Sequence, residues 1–130
     1  MIRSLVSVVA GFLGFGFATT GLWLAFGYRL NEIPSERFLV FSLGCEIVFA
    51  LASGYLTAWI AGKKEGAHSL ALAATMVLQG VATLPAAPGQ YPLWVPLSTM
   101  LVLAPCCYLG GKMRAWWKLR ENHRSGADAP

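Results

Sequence analysis

Charged residues are scarce in this sequence. Only 12% of the 130 residues are Asp, Glu, Lys or Arg, whereas 56% are hydrophobic, and the mean hydropathy is +0.57. A soluble domain has about 25% charged residues, so this chain lacks the polar surface needed to face water on all sides. The length suits a single domain. The composition excludes an ordinary soluble domain, and we expect an all-α integral membrane protein.

The sequence also lacks motifs for catalysis. It contains no Ser/His/Asp set, phosphate-binding loop, dinucleotide fingerprint or zinc motif. The three cysteines (Cys45, Cys106 and Cys107) lie in apolar stretches and show no C-x-x-C spacing. They are expected to be small buried hydrophobes rather than metal or redox groups. We therefore predict a protein that is not an enzyme and has no cofactor and no metal site.

Long uncharged stretches indicate membrane-spanning helices. Residues 4–28 and 66–111 contain no charge, and residues 38–62 contain only Glu46. A helix that crosses a bilayer needs about 20 apolar residues, so the longest stretch accommodates two helices, separated at the proline-rich residues 85–92. We predict a transmembrane domain over residues 1–113, with helices near 4–27, 38–62, 67–84 and 93–113, followed by a basic amphipathic juxtamembrane tail at 114–130.

The basic residues are distributed unevenly between the two ends of these helices. With four spans, Arg29 and Arg37 lie on one side and eight basic residues on the other. Because positive loops stay in the cytoplasm, both the N-terminus and the C-terminus are predicted to be cytoplasmic. Topology thus explains the net charge of +4 without a nucleic acid partner. The eight residues are Arg3, Lys63, Lys64, Lys112, Arg114, Lys118, Arg120 and Arg124.

Small residues at four-residue spacing predict the helix-packing faces, because they let helix backbones approach closely in lipid. The second span has one such ridge, and the first span has a shorter one. The predicted helix-packing residues are Gly14 and Ala18 in the first span, and Ala50, Gly54, Ala58 and Gly62 in the second.

Glu46 is the one carboxylate within the predicted spans, and it lies on the same face as the second ridge. At about 1.5 Å per residue it lies roughly 12 Å from the nearer end of its helix. We expect a buried polar layer at this depth, in which Glu46 hydrogen-bonds at least one of the other members. A proton- or ion-linked role for Glu46 is the alternative to this structural role. The other members are Thr19, Thr20, Gln79, Ser98 and Thr99.

Basic and aromatic residues near the cytoplasmic boundary are expected to contact anionic lipid headgroups or a membrane partner. His68 is interpreted as an interfacial residue, with pigment or metal ligation as the alternative. Pro96 and Pro105 are interpreted as kinks, with gates or unwound binding sites as the alternative. The predicted contact residues are Lys63, Lys64, Lys112, Arg114, Trp116, Trp117, Lys118 and Arg120.

Several segments resemble a group of uncharacterised small four-helix proteins of the bacterial inner membrane. They are residues 2–12, Gly54–Gly62, Ala67–His68, Ala104–Pro105 and Gly110–Arg114. The resemblance implies a four-helix fold in a bacterial inner (cytoplasmic) membrane but no activity. Small multidrug transporters carry their membrane glutamate in the first helix rather than the second, and the glycine-rich arginine signature of fluoride channels is missing.

These observations favour a non-catalytic accessory, structural or assembly subunit of a larger membrane complex. The expected partners are the lipid bilayer with its anionic headgroups and a membrane protein or a second copy of the chain. The alternative is a small oligomeric transporter or channel that uses Glu46 as a proton- or cation-linked site.

Overall fold

The computed structural model describes residues 2–28, 34–62, 65–86 and 92–127, and these residues form helices without any strand. The all-α prediction is therefore confirmed for the described part of the chain. A π-helical segment (Thr99–Leu103) joins two of the helices into one continuous fourth helix. The α-helices are α1 (Ile2–Ala25), α2 (Glu36–Ala61), α3 (Glu65–Thr83), α4 (Trp94–Ser98) and α5 (Ala104–Ala127), and a 3₁₀ turn (Leu84–Ala86) follows α3.

Three of the described helices are long and apolar enough to cross a membrane. They comprise Leu5–Ala25, Glu36–Ala61 and Trp94–Glu121, with hydropathies of 1.8, 1.8 and 1.4. The chain is therefore a membrane protein by length and composition. Helix α3 is not among the helices that are long and apolar enough. Length and composition therefore do not show that the span predicted at 67–84 crosses the membrane. The observed ends of α1, α2 and α3 lie within two residues of the predicted ends.

Local caps explain where α2 begins and ends. The Ser35 side chain accepts a hydrogen bond from the Phe38 N–H at 3.4 Å and so caps the first turn. At the other end, Gly62 adopts a left-handed conformation with φ 68° and donates its N–H to the Ala58 carbonyl at 3.1 Å. Glycine suits this position because it lacks the Cβ that would strain a left-handed residue.

Aromatic side chains join the end of α1 to the start of α2. The Phe38 ring lies 4.2 Å from the Tyr28 ring and 5.9 Å from the Trp23 ring, the latter edge to face. Tilted and edge-to-face pairs of this kind are favourable. The contacts place the two helix ends at one level, so α1 and α2 run antiparallel.

The two prolines of the fourth helix lie on either side of its π-helical segment. Pro105 has no N–H to donate one turn back, and the Ala104 N–H donates to the carbonyl of Thr99, five residues earlier. This wider turn keeps the backbone helical through residues 94–127. The backbone remains helical at both Pro96 and Pro105.

Helix α2 packs against α1, α3 and α5, and from Ser42 onward its buried residues are small. Ala50 and Ala58 have no exposed surface, and the largest fully buried apolar side chains, Leu72, Met76 and Leu103, come from α3 and the fourth helix. The outward face of α2 carries large apolar side chains, for example Val48 at 61% exposure. Lipid is the natural environment for that face.

Candidate functional site

Glu46 is half-buried on α2, and its nearest polar neighbour lies on the same helix. The carboxyl group interacts with the hydroxyl of Ser42, one turn earlier. Ser42 is buried and donates a hydrogen bond to the Leu39 carbonyl at 3.1 Å. Helix α2 thus supplies a polar contact for its own carboxyl group.

The other members of the predicted polar layer differ in their exposure and in their hydrogen bonds. Thr20 and Gln79 are exposed on the outside of the bundle, whereas Thr19, Ser98 and Thr99 are half-buried. The hydroxyls of Ser98 and Thr99 both donate to the carbonyl of Val95, at 2.7 and 3.3 Å. The Oγ1 atom of Thr19 is buried and has no hydrogen-bond partner among the described residues.

The prediction of one buried layer is therefore wrong for Thr20 and Gln79. Residue spacing gives only the depth along a helix, and rotation about the helix axis decides which side chains point inward. On α1 the buried face contains Ser7, Gly11 and Phe15, and Thr20 lies roughly 140° around the helix from Phe15 at about 100° per residue.

The tightest helix contact joins α2 to α5 through two glycines. A Cβ atom added to Gly54 would meet the carbonyl oxygen of Cys107, and one added to Gly110 would meet the carbonyl oxygen of Leu51. Beside them, the Ser53 hydroxyl lies 3.8 Å from the Cys107 sulfur. The predicted packing face of α2 is buried at Ala50, Gly54 and Ala58, and Gly62 is half-buried as the helix cap.

On α1 the packing face differs from the predicted one. Gly14 is exposed and Ala18 is half-buried, whereas Gly11 is buried so closely against α2 that a Cβ atom there would meet Thr57 Oγ1. Small residues occur at several registers along α1, and spacing alone did not identify the register that faces α2. Gly11 therefore makes the closest contact of α1 with α2, whereas Gly14 lies at the edge of this contact, where a Cβ would be 3.8 Å from the Leu56 side chain.

A half-buried ion pair closes one end of the bundle, and sequence reasoning missed its acidic member. Lys118 Nζ lies 2.9 Å from Glu65 Oε1 and 2.9 Å from the carbonyl oxygen of Gly62. Glu65 is only 8% exposed, and its Oε2 atom has no hydrogen-bond partner among the described residues. Lysine thus joins the end of α2, the start of α3 and α5. An acid at the first position of a helix is favoured by the helix dipole, and that signal was available in the sequence.

The basic residues of α5 divide between two faces. Arg114 and Lys118 face the bundle: the Arg114 guanidinium lies 5.8 Å from the Tyr55 ring centre, and its Nε atom is buried. Lys112 and Arg120 are exposed. The predicted contact set is therefore not uniform, because Arg114 and Lys118 hold helices together. Trp116 and Trp117 are about half exposed, and Lys63 and Lys64 lie outside the described residues.

The remaining candidate groups are dispersed. His68 is half-buried near the start of α3. Cys107 is buried and does not form a disulfide, and neither do the half-buried Cys45 and Cys106. No group of three or more His, Cys, Asp or Glu residues that could hold a metal ion occurs in the described part of the chain.

The described residues thus form an ion pair, close glycine contacts between helices, a half-buried carboxyl group and an exposed basic helix face. The chain matches no family model, no curated protein and no solved structure. The resemblance to bacterial inner-membrane proteins stays a prediction, and function is argued from the geometry.

Proposed function

We propose that this protein is a non-catalytic accessory, structural or assembly subunit of a larger complex in the bacterial inner membrane. In this proposal all four helices cross the membrane and both termini are cytoplasmic. The observation that carries it is the combination of position and composition found in α3, which runs alongside the fourth helix yet is not among the three helices that are apolar enough to cross a membrane by composition alone.

The ends of α3 lie level with the ends of its neighbours. Near its start, Glu65 is bound by Lys118, and Ser69 packs where a Cβ on Gly111 would lie. Near its end, a Cβ on Gly80 would meet the side chain of Met100. Helix α3 therefore runs antiparallel to the fourth helix. Its 19 residues span about 28 Å, close to the roughly 30 Å of the hydrocarbon core, which supports a fourth span.

The outward face of α3 suits protein better than lipid. It exposes Ala71, Ala74 and Gln79 among the larger apolar side chains of Leu70, Val77, Leu78 and Val81, of which Leu78 is 69% exposed. Small residues allow close helix approach, and amide side chains hydrogen-bond between helices in membranes. A helix too polar to be a strong candidate for a lone span would be stabilised by a protein neighbour on this face. That neighbour is either another subunit or a second copy of the chain.

The proposed orientation rests on the distribution of basic residues. Lys118 and Arg120 lie at the same end of the bundle as Gly62 and Glu65. By the positive-inside rule, that end faces the cytoplasm. Reporter domains fused to either terminus test the topology: four spans require both reporters to be cytoplasmic. Reporters on opposite sides would mean three spans and would overturn this part of the proposal.

Extraction in a mild detergent, followed by mass determination, tests the subunit assignment. The full chain is expected to leave the membrane with at least one other protein. The variant Gln79→Leu, on the outward face of α3, is expected to recover less of that protein, whereas Val48→Leu on the outward face of α2 recovers the same amount as wild type. A monomer that carries no other protein would contradict the proposal.

A small oligomeric transporter or channel is the second candidate, and one observation favours it. Glu46 lies in the middle of α2 with a polar contact to Ser42, and the buried hydroxyl of Thr19 has no hydrogen-bond partner among the described residues. Membrane carboxyl groups often take part in proton or cation pathways. Flux into proteoliposomes that Glu46→Gln abolishes would support this function, and flux unchanged by Glu46→Gln across pH would exclude it.

A further inference from the structure

The exposed face of α5 carries alternating aromatic and basic residues at four-residue spacing. They are Tyr108, Lys112, Trp116 and Arg120. The Lys112 ammonium lies 5.3 Å from the Tyr108 ring centre, and the Arg120 guanidinium lies 3.8 Å from the Trp116 ring centre. These stacks hold two cations on one side of the helix. We call these four residues the basic stripe.

An apolar groove of about 630 Å³ lies beside the basic stripe, between α5 and α2. Its lining is apolar except for Lys112, and several lining side chains are exposed, including Met113 at 52% and Leu119 at 60%. The groove is therefore open to the surroundings of the bundle along its length. It is lined by Leu51, Leu109, Lys112, Met113, Ala115, Trp116 and Leu119.

The depth of the groove can be measured from the ion pair that marks the end of the bundle. Lys112 precedes Lys118 by six residues, so its Cα lies roughly 9 Å deeper at about 1.5 Å per residue. Arg120 lies about 3 Å beyond Lys118. The cations therefore flank the groove over about 12 Å, from the polar boundary into the apolar zone. A cation exposed at membrane depth is costly unless an anion accompanies it.

Two of the cations on α5 are placed to bind an anion from outside the bundle. Lys118 is already bound to Glu65 at 2.9 Å, and Arg114 packs on Tyr55. Lys112 and Arg120, in contrast, are exposed. An amphipathic anion would place its charge between these two cations and its hydrocarbon in the adjoining groove. A phospholipid has both parts in the required order along the membrane normal.

We propose that the groove between α2 and α5, together with the basic stripe, is a binding site for one anionic phospholipid. The anionic headgroup lies between Arg120 and Lys112. One acyl chain follows the groove past Met113 toward Leu109 and Leu51. The site does not depend on the proposed subunit role, since it requires only that the chain is in a membrane.

Native mass spectrometry of the purified full-length chain, titrated with phosphatidylglycerol or phosphatidylcholine, tests this site. Wild type is expected to retain one phosphatidylglycerol per chain, roughly tenfold more tightly than phosphatidylcholine, because basic residues near a membrane each favour anionic lipid. The double variant Lys112→Gln/Arg120→Gln is expected to lose that preference. Arg37→Gln is the matched control, since it removes an exposed cation from another helix.

A second variant separates the groove from the charges. Ala115→Phe fills the groove without changing the net charge, and it is expected to lower retention of both lipids by about tenfold. Tryptophan fluorescence during unfolding confirms that each variant is folded. If Ala115→Phe does not fold, Leu119→Trp takes its place as the groove-filling variant. Equal retention of the two lipids by wild type, unchanged retention in the variants, or a second protein chain bound in place of lipid would overturn the proposal.

Discussion

Helices α2 and α3 are neighbours in the bundle but differ in their outward faces. Helix α2 has 26 residues, is apolar enough to cross a membrane, and exposes large apolar side chains such as Val40 and Val48. Helix α3 has 19 residues, is less apolar, and exposes Gln79 and small residues together with Leu70, Leu78 and Val81. The inward faces of both helices are tightly packed. The comparison indicates that the inward faces determine the fold, whereas the residues on each outward face depend on whether lipid or protein covers that helix.

The largest expected effect comes from the inward face of α2. In Gly54→Leu the new side chain would meet the backbone of Cys107, which cannot move without shifting α5. We expect a loss of about 3 kcal/mol or more in the free energy of unfolding, measured by tryptophan fluorescence in detergent. Gly44→Leu is the matched control: no atom lies within 4 Å of a Cβ there, so its change should stay within about 0.5 kcal/mol. Equal effects of the two substitutions would refute the inward packing of Gly54.

The ion pair at the start of α3 gives the next largest effect, and its two members should differ. Lys118→Met leaves the buried Glu65 carboxylate without its ammonium and should cost about 2–3 kcal/mol. Glu65→Gln should cost about 1 kcal/mol, because the Lys118 side chain is 44% exposed and can turn toward water.

The double variant completes a mutant cycle for this pair. Lys118→Met/Glu65→Gln should be more stable than the sum of the single changes implies, because neither charge is then left alone. The free energies of unfolding of the four proteins provide the test. Additive effects would show that Lys118 and Glu65 do not interact in the membrane protein.

A smaller effect on stability is expected at the outward face of α3. Gln79→Leu should change the free energy of unfolding of the isolated chain by no more than about 0.5 kcal/mol, since Gln79 is exposed. The same substitution is expected to reduce the protein that co-purifies from membranes. Loss of stability in the isolated chain, with full recovery of the other protein, would reverse the assignment of this face.

The smallest effect is expected at Glu46. The amide of Glu46→Gln preserves the shape of the side chain and its polar contact with Ser42, so stability should change by less than about 0.5 kcal/mol. The free energies of unfolding of wild type and Glu46→Gln, measured at one pH in the same detergent, provide the test. A loss above about 2 kcal/mol would mean that the carboxyl group has a stronger partner than Ser42.

The sequence was most informative where one strong pattern applied. Long apolar stretches predicted helix ends within two residues for α1, α2 and α3, and the single small-residue ridge of α2 predicted the burial of Gly54. Prediction failed where rotation about a helix axis decides which side chains point inward, as for Thr20. The packing face of α1 was also missed, because α1 has small residues at several registers. The Glu65–Lys118 pair joins residues 53 positions apart, and no local pattern links such residues.

The central claim is that protein covers the outward face of α3, whereas lipid covers the outward face of α2. A photoreactive amino acid placed at Leu78 or at Val48 tests this directly in intact membranes, since these positions are 69% and 61% exposed in the single chain. The account predicts a protein crosslink from position 78 and none from position 48. Crosslinks to lipid alone from position 78, or equal protein crosslinks from both positions, would contradict it.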